Sequence, residues 1–159
     1  MSQVHADAAR VIDARPEDVY AVLSDYRVKH QQILSPEHFR DFVVEEGGQG
    51  AGTVIRFHLI AGGRERDYHM RVTEPEPGRV LLEKDTASSL VTTFTLTPLA
   101  DGRQTNVRIA TEWEGSGGIG GFFERTFAPG VLRRLYSDEL NRLAVLLGNT
   151  HASAAGANH

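Results

Sequence analysis

The chain has 159 residues, which suits one domain with a single sizeable core. Apolar residues make up 40% and charged residues 24%, an ordinary balance for a soluble globular protein. The net charge of -4 comes without any Lys/Arg run, so there is no footprint for nucleic acid or an anionic membrane, and the absence of cysteine excludes disulfides and thiolate chemistry.

From the N-terminus, "MSQVHADAARVIDA" has no apolar h-region, and no uninterrupted apolar segment approaches bilayer length. A cytoplasmic protein without stable membrane insertion is expected. Residues 4–14 predict a strand with Val4, Ala6, Ala8, Ile12 and Ala14 on one face. "RPEDVYAVLSD" predicts a short helix. Pro16 fits its first turn, where a missing N–H is no loss, and Glu17 and Asp18 suit its positive end. "RVKHQQIL" predicts a second short helix, ended by Pro36.

From residue 39 to 113 the period becomes 2 and glycine-rich turns recur at hairpin spacing. A Gly62-Gly63 turn sets Ala61 opposite Arg64, Phe57 opposite Tyr68, Ile55 opposite Met70 and Thr53 opposite Val72. The other face then carries His58 with Asp67 and Arg56 with His69, so one face is apolar and one charged. An Asp101-Gly102 type I′ turn sets Leu96 opposite Val107, Phe94 opposite Ile109, Thr92 opposite Thr111 and Leu90 opposite Trp113. A slip of one residue would invert every side chain, so this clean sorting supports both registers. Between the hairpins "RVLLEKD" is a strand whose register the sequence leaves open.

Glycines 115, 117 and 120 spell G-x-G-x-x-G, but the strand before them alternates and no second strand can follow, so a dinucleotide fold is excluded. They read instead as a bridge that, with Phe122, Phe123 and Phe127, rims a cavity. Pro129-Gly130 breaks the segment ahead of a helix whose Leu132, Leu135, Tyr136, Leu140, Leu143 and Leu147 form a wide apolar stripe. Residues 1–148 are expected to be one domain, and 149–159, which lack a core-forming pattern, a disordered tail.

The carriers of a family resemblance are "VIDARPEDVYAVLSDY", "GGQGAGTVIRF", "VTEPEPGRVLLE", "TTFTLTPLADGRQTNVRI" and the run into "FFERTFAPGVLRRLYSDELNRLAVLL". In their order and spacing the chain resembles the SRPBCC superfamily, the START-like or helix-grip proteins, and its polyketide cyclase/dehydrase-type branch. The resemblance implies an α+β helix-grip fold, a curved antiparallel sheet of six to seven strands wrapped around a long C-terminal helix. Two short helices would follow the first strand. It also implies a cavity between sheet and helix for a hydrophobic small molecule of lipid, polyketide or aromatic type.

The candidate ligand-binding residues are Phe57, Tyr68, Met70, Thr92, Phe94, Ile109, Thr111, Trp113, Phe123, Phe127, Leu132, Tyr136 and Arg66. An apolar cleft with a few oriented hydroxyls suits a hydrophobic ligand bearing one or two oxygens; the alternative is a plain core with each hydroxyl bonded to a neighbour. Arg66 could meet an acidic ligand group or snorkel to solvent. No metal spacing, cofactor motif or nucleophile elbow is visible, so no metal and no cofactor are expected, and every His reads as structural or solvated. No inward His, Asp or Glu is visible, and Tyr68 with Arg66 is the only pair to nominate for acid–base work. Three readings therefore stand: a carrier or sensor of a hydrophobic ligand, a cyclase or dehydratase, and a protein-interaction module with a collapsed cavity. A homodimer is compatible with all three.

Overall fold

The computed structural model describes residues 3–114 and 127–157. In chain order these form β1 (Gln3–Ile12), α1 (Pro16–Ser24), α2 (Lys29–Gln32), β2 (Phe39–Glu46), β3 (Val54–Ala61) and β4 (Arg64–Glu76). β5 (Val80–Asp85), β6 (Val91–Leu99), β7 (Gln104–Glu114) and the long C-terminal helix α3 (Pro129–Ala157) follow. The strands make one sheet in the order β1-β7-β6-β5-β4-β3-β2, antiparallel throughout. This is the helix-grip architecture, with one sheet face and one helix stripe each burying the other.

Both predicted hairpin registers are present, including Phe57 opposite Tyr68 and Thr92 opposite Thr111. The turns explain why. Gly62 and Gly63 have φ of 59° and 76°, and Asp101 and Gly102 have φ of 57° and 83°. Two successive left-handed residues match the right-handed twist of the flanking strands. Gly62 has a second reason to lack a side chain: a Cβ there would lie 2.9 Å from Cγ2 of Val131, at the start of α3.

At the other edge of the sheet, β2 is bulged. Its register with β3 shifts between Arg40 and Val43, and Asp41 takes a φ of 56°. An extra residue on one strand reverses the alternation. Phe39 and Phe42, three apart, therefore both reach Phe57, with ring centroids 5.6 and 6.0 Å away.

On the opposite edge, Ala6 and Ala8 project only methyl groups toward the helix, and α3 lies along β1. The predicted stripe of α3 is buried, from Leu132 through Leu147. The second helix is only four residues, Lys29–Gln32, shorter than the sequence predicts, and the helical backbone of α3 runs to Ala157. No described helix is long and apolar enough to cross a membrane.

Candidate functional site

A cavity lies between the inner face of the sheet and α3, with α2 contributing to its wall. Its volume is about 50 Å³, a narrow slot rather than an open chamber. Phe39 and Phe42, both partly buried on the bulged edge strand, line it together with Phe57. They are the wall least tied down by packing.

The polar lining comes from four elements. On β5, Leu81 pairs with Phe94 and Glu83 pairs with Thr92, so Glu83 points to the same side as those inward residues. Its Oε2 accepts a hydrogen bond from the Tyr26 hydroxyl at 2.7 Å and lies 3.8 Å from Nε2 of His30. His30, from α2, is stacked on Tyr26 with centroids 4.4 Å apart. Its Nδ1 is 2.7 Å from the Leu23 carbonyl, which can only accept, so the proton sits on Nδ1. In the neutral ring Nε2 is then bare and faces Glu83.

Burial pushes Glu83 up to about 7, against the hydrogen bond from Tyr26. Burial also lowers His30 to about 4. At 3.8 Å these groups could form an ion pair, but desolvation works against charge on both. A neutral imidazole beside a protonated carboxyl is the state that burial favours near neutral pH.

From the helix side comes Glu139, only 4% exposed, which lines the same cavity. Burial, with Glu83 and Asp138 nearby, holds it well above the carboxylate range. Among the described residues its carboxyl has no hydrogen-bond partner. The hydroxyls are different. Thr92 and Thr111 bond each other at 2.7 Å, and Thr111 also bonds the Tyr136 hydroxyl.

Of the sequence-predicted residues, Phe57, Tyr68, Met70, Thr92, Phe94, Leu132 and Tyr136 line the cavity. Ile109, Thr111 and Trp113 are buried on β7, Ile109 and Thr111 directly opposite the lining residues Phe94 and Thr92. Phe127 is buried with its ring 6.5 Å from that of Tyr68. Arg66 bonds Asp85 at 2.6 Å, and its guanidinium sits 4.4 Å from the Tyr68 ring centroid. Phe122, Phe123 and the glycine bridge lie outside the described residues.

The expectation that no acid or His faces inward is corrected by Glu83, Asp85, Glu139 and His30, all buried on the inner side. His30 is structural through Nδ1, yet it also lines the cavity. Glu83 was hidden because the register of β5 cannot be read across a β4–β5 junction that shifts between Thr73 and Glu76. The alternation Leu81, Glu83, Asp85 was the available signal. Glu139 falls on the apolar stripe of α3, between Tyr136 and Leu143 at helical spacing, and a carboxyl on such a stripe marks itself.

His58 and His69 lie on the outer face of the sheet, as their register predicts. His58 bonds Asp67 at 2.7 Å on the outer face, and His69 bonds Glu45 and Thr86 there. Among the described residues no group of three His, Asp or Glu side chains is placed to hold a metal ion.

A grip of seven strands around one helix, enclosing a slot with an aromatic wall, defines a START-like protein of the SRPBCC superfamily. More narrowly, residues 3–148 match the family model described as polyketide cyclase / dehydrase and lipid transport, and the chain belongs to that family. It is similar to KanY protein (ms6282), solved by NMR, at 40% identity and a TM-score of 0.79 over 93% of this chain and 99% of that one. It shares its fold with the Zhui aromatase/cyclase of Streptomyces sp. R1128, at 18% identity and a TM-score of 0.68 over 90% and 92% of the two chains. Truncated norcoclaurine synthase of Thalictrum flavum shares it too, at 15% identity and a TM-score of 0.69 over 92% and 94%. A search of curated proteins found no match.

Proposed function

We propose that the chain binds a hydrophobic small molecule of lipid, polyketide or aromatic type in the cavity between the sheet and α3. The observation that carries this reading is the way the lining is divided. Phe39, Phe42 and Phe57 stand on β2 and β3, while Glu83, Thr92, His30 and Glu139 gather on β5, β6 and the two helices. Such a slot offers apolar area to a ligand body and a few polar groups to orient one end of it. Phe57, Tyr68, Met70, Thr92, Phe94, Leu132 and Tyr136 are its proposed contacts. A ligand of more than a few atoms needs Phe39 and Phe42 to swing outward.

Native mass spectrometry of protein purified from its own host tests the reading. The expected result is a bound hydrophobic compound that survives gentle ionisation and is lost on denaturation. Bare protein alone, both as purified and after incubation with a host lipid extract, would overturn it.

One observation favours a second reading, a cyclase or dehydratase. A carboxyl poised at about 7, beside a buried imidazole, is suited to proton transfer near neutral pH. Loss of water from a β-hydroxy ketone needs a base for the α-proton and an acid for the departing hydroxyl, giving the enone and water. Glu83 serves both roles in turn, its carboxylate taking the α-proton and the resulting carboxylic acid returning it to the departing hydroxyl, so that enone and water leave and the carboxylate is regenerated. Conversion of the retained compound by the native protein, but not by E83Q, would favour catalysis over carriage.

A further inference from the structure

We infer that the cavity takes a hydrophobic amine, with the ammonium group seated between the carboxyls of Glu83 and Glu139. The inference rests on the ligand-binding reading above and names the chemistry of the ligand's polar end.

Most polar groups of the slot already have partners. The Tyr26 O–H is already given to Glu83, and the hydroxyls of Thr92, Thr111 and Tyr136 are linked to one another. His30 spends its Nδ1 proton on the Leu23 carbonyl and turns a bare Nε2 toward Glu83. Arg66 is held by Asp85 and the face of Tyr68. The carboxyls keep the most unused capacity: once they give up their protons, the second oxygen of Glu83 and both oxygens of Glu139 are acceptors, whereas the Tyr68 hydroxyl and one end of the Thr92–Thr111–Tyr136 chain retain single donors. An ammonium group brings three donors and no acceptor.

Charge points the same way. Two carboxyls line the slot, on β5 and α3, and among the described residues no Lys or Arg joins them in the lining. The other titratable groups facing them are Tyr26, His30, Tyr68 and Tyr136, which burial keeps neutral near pH 7, while Asp138, paired with Arg142 at 2.7 Å, adds further negative potential. An anionic ligand would enter against these carboxyls, and the nearest described guanidinium, Arg66, is already paired with Asp85. A cation lets them ionise and pairs with both.

The test compares three ligands with one skeleton, phenylbutylamine, phenylbutanol and phenylbutyrate, by calorimetry on the wild-type protein near neutral pH. The amine is expected to bind roughly 10-fold more tightly than the alcohol, as a hydrogen bond to a charged group outweighs a neutral one. The carboxylate should bind weakest. Amine binding should also release protons as Glu139 ionises, seen as a heat that varies with the buffer. E139Q, which cannot ionise, should weaken the amine roughly 30-fold or more while moving the alcohol little. Alcohol binding as tight as the amine, or amine binding indifferent to E139Q, overturns the inference and leaves the ligand-binding reading intact. Failure of all three ligands to bind overturns both. The wild-type series stands even if E139Q does not fold.

Discussion

Glu83 and His30 titrate in opposite senses, and their effects on stability oppose each other. Glu83 is raised from 4.5 to about 7, so its native form keeps a proton that the unfolded chain loses. Its contribution is full below the lower value and is lost as pH rises through the upper one. His30 is lowered from 6.5 to about 4, so its contribution is present above 6.5 and lost as pH falls toward 4. Between 4.5 and 6.5 the two slopes cancel. E83Q removes one of them. Its stability should therefore climb relative to the wild type by one proton's slope across that window, Glu139 acting equally on both proteins. Above about pH 7 the variant should exceed the wild type by about 3 kcal/mol, because Gln never has to be buried as an anion. Urea unfolding at several pH values measures both, and parallel profiles for the two proteins would refute the assignment.

At the level of the element, the bulge in β2 decides the shape of the aromatic wall. Asp41 holds the left-handed conformation that lets Phe39 and Phe42 face the same way. Asp41→Gly should leave stability unchanged within about 0.5 kcal/mol or raise it, since glycine adopts this conformation freely. Asp41→Val should cost about 1–2 kcal/mol, because a β-branched side chain crowds the following carbonyl there. Both variants remove the same charge, so the gap between their urea midpoints isolates the backbone. Equal midpoints would mean the bulge is not held this way.

This edge also shows where the sequence stops being readable. The two hairpins were legible to the residue because their turns, Gly62-Gly63 and Asp101-Gly102, admit essentially one geometry. In "FRDFVVEE" nothing marks the inserted residue, because aspartate does not announce a left-handed backbone as glycine does. The same limit hid Glu83. The strand β5 was evident, but its face depended on an irregular junction with β4. The apolar half of the site was thus legible and the acidic half was not. Periodicity finds apolar residues by their agreement with a pattern, whereas Glu83 and Glu139 are exceptions to it.

Over the whole molecule, sheet and helix each present one apolar face, and the space they fail to fill is the slot. Burial that stabilises the fold and desolvation that raises Glu83 and Glu139 have the same origin, the exclusion of water from the grip. The family to which the chain belongs, and its likeness to KanY protein, agree with this architecture over nearly the full length. Entry of a hydrophobic ligand into this slot is followed by NMR titration of the methyl-labelled protein with phenylbutylamine and phenylbutanol. The account predicts shifts at Ile55, Leu59, Met70, Leu132 and Leu135, which surround the cavity, and none at exposed Val11, Val43 and Val145. Shifts confined to the exposed methyls, or none at saturating ligand, would contradict it.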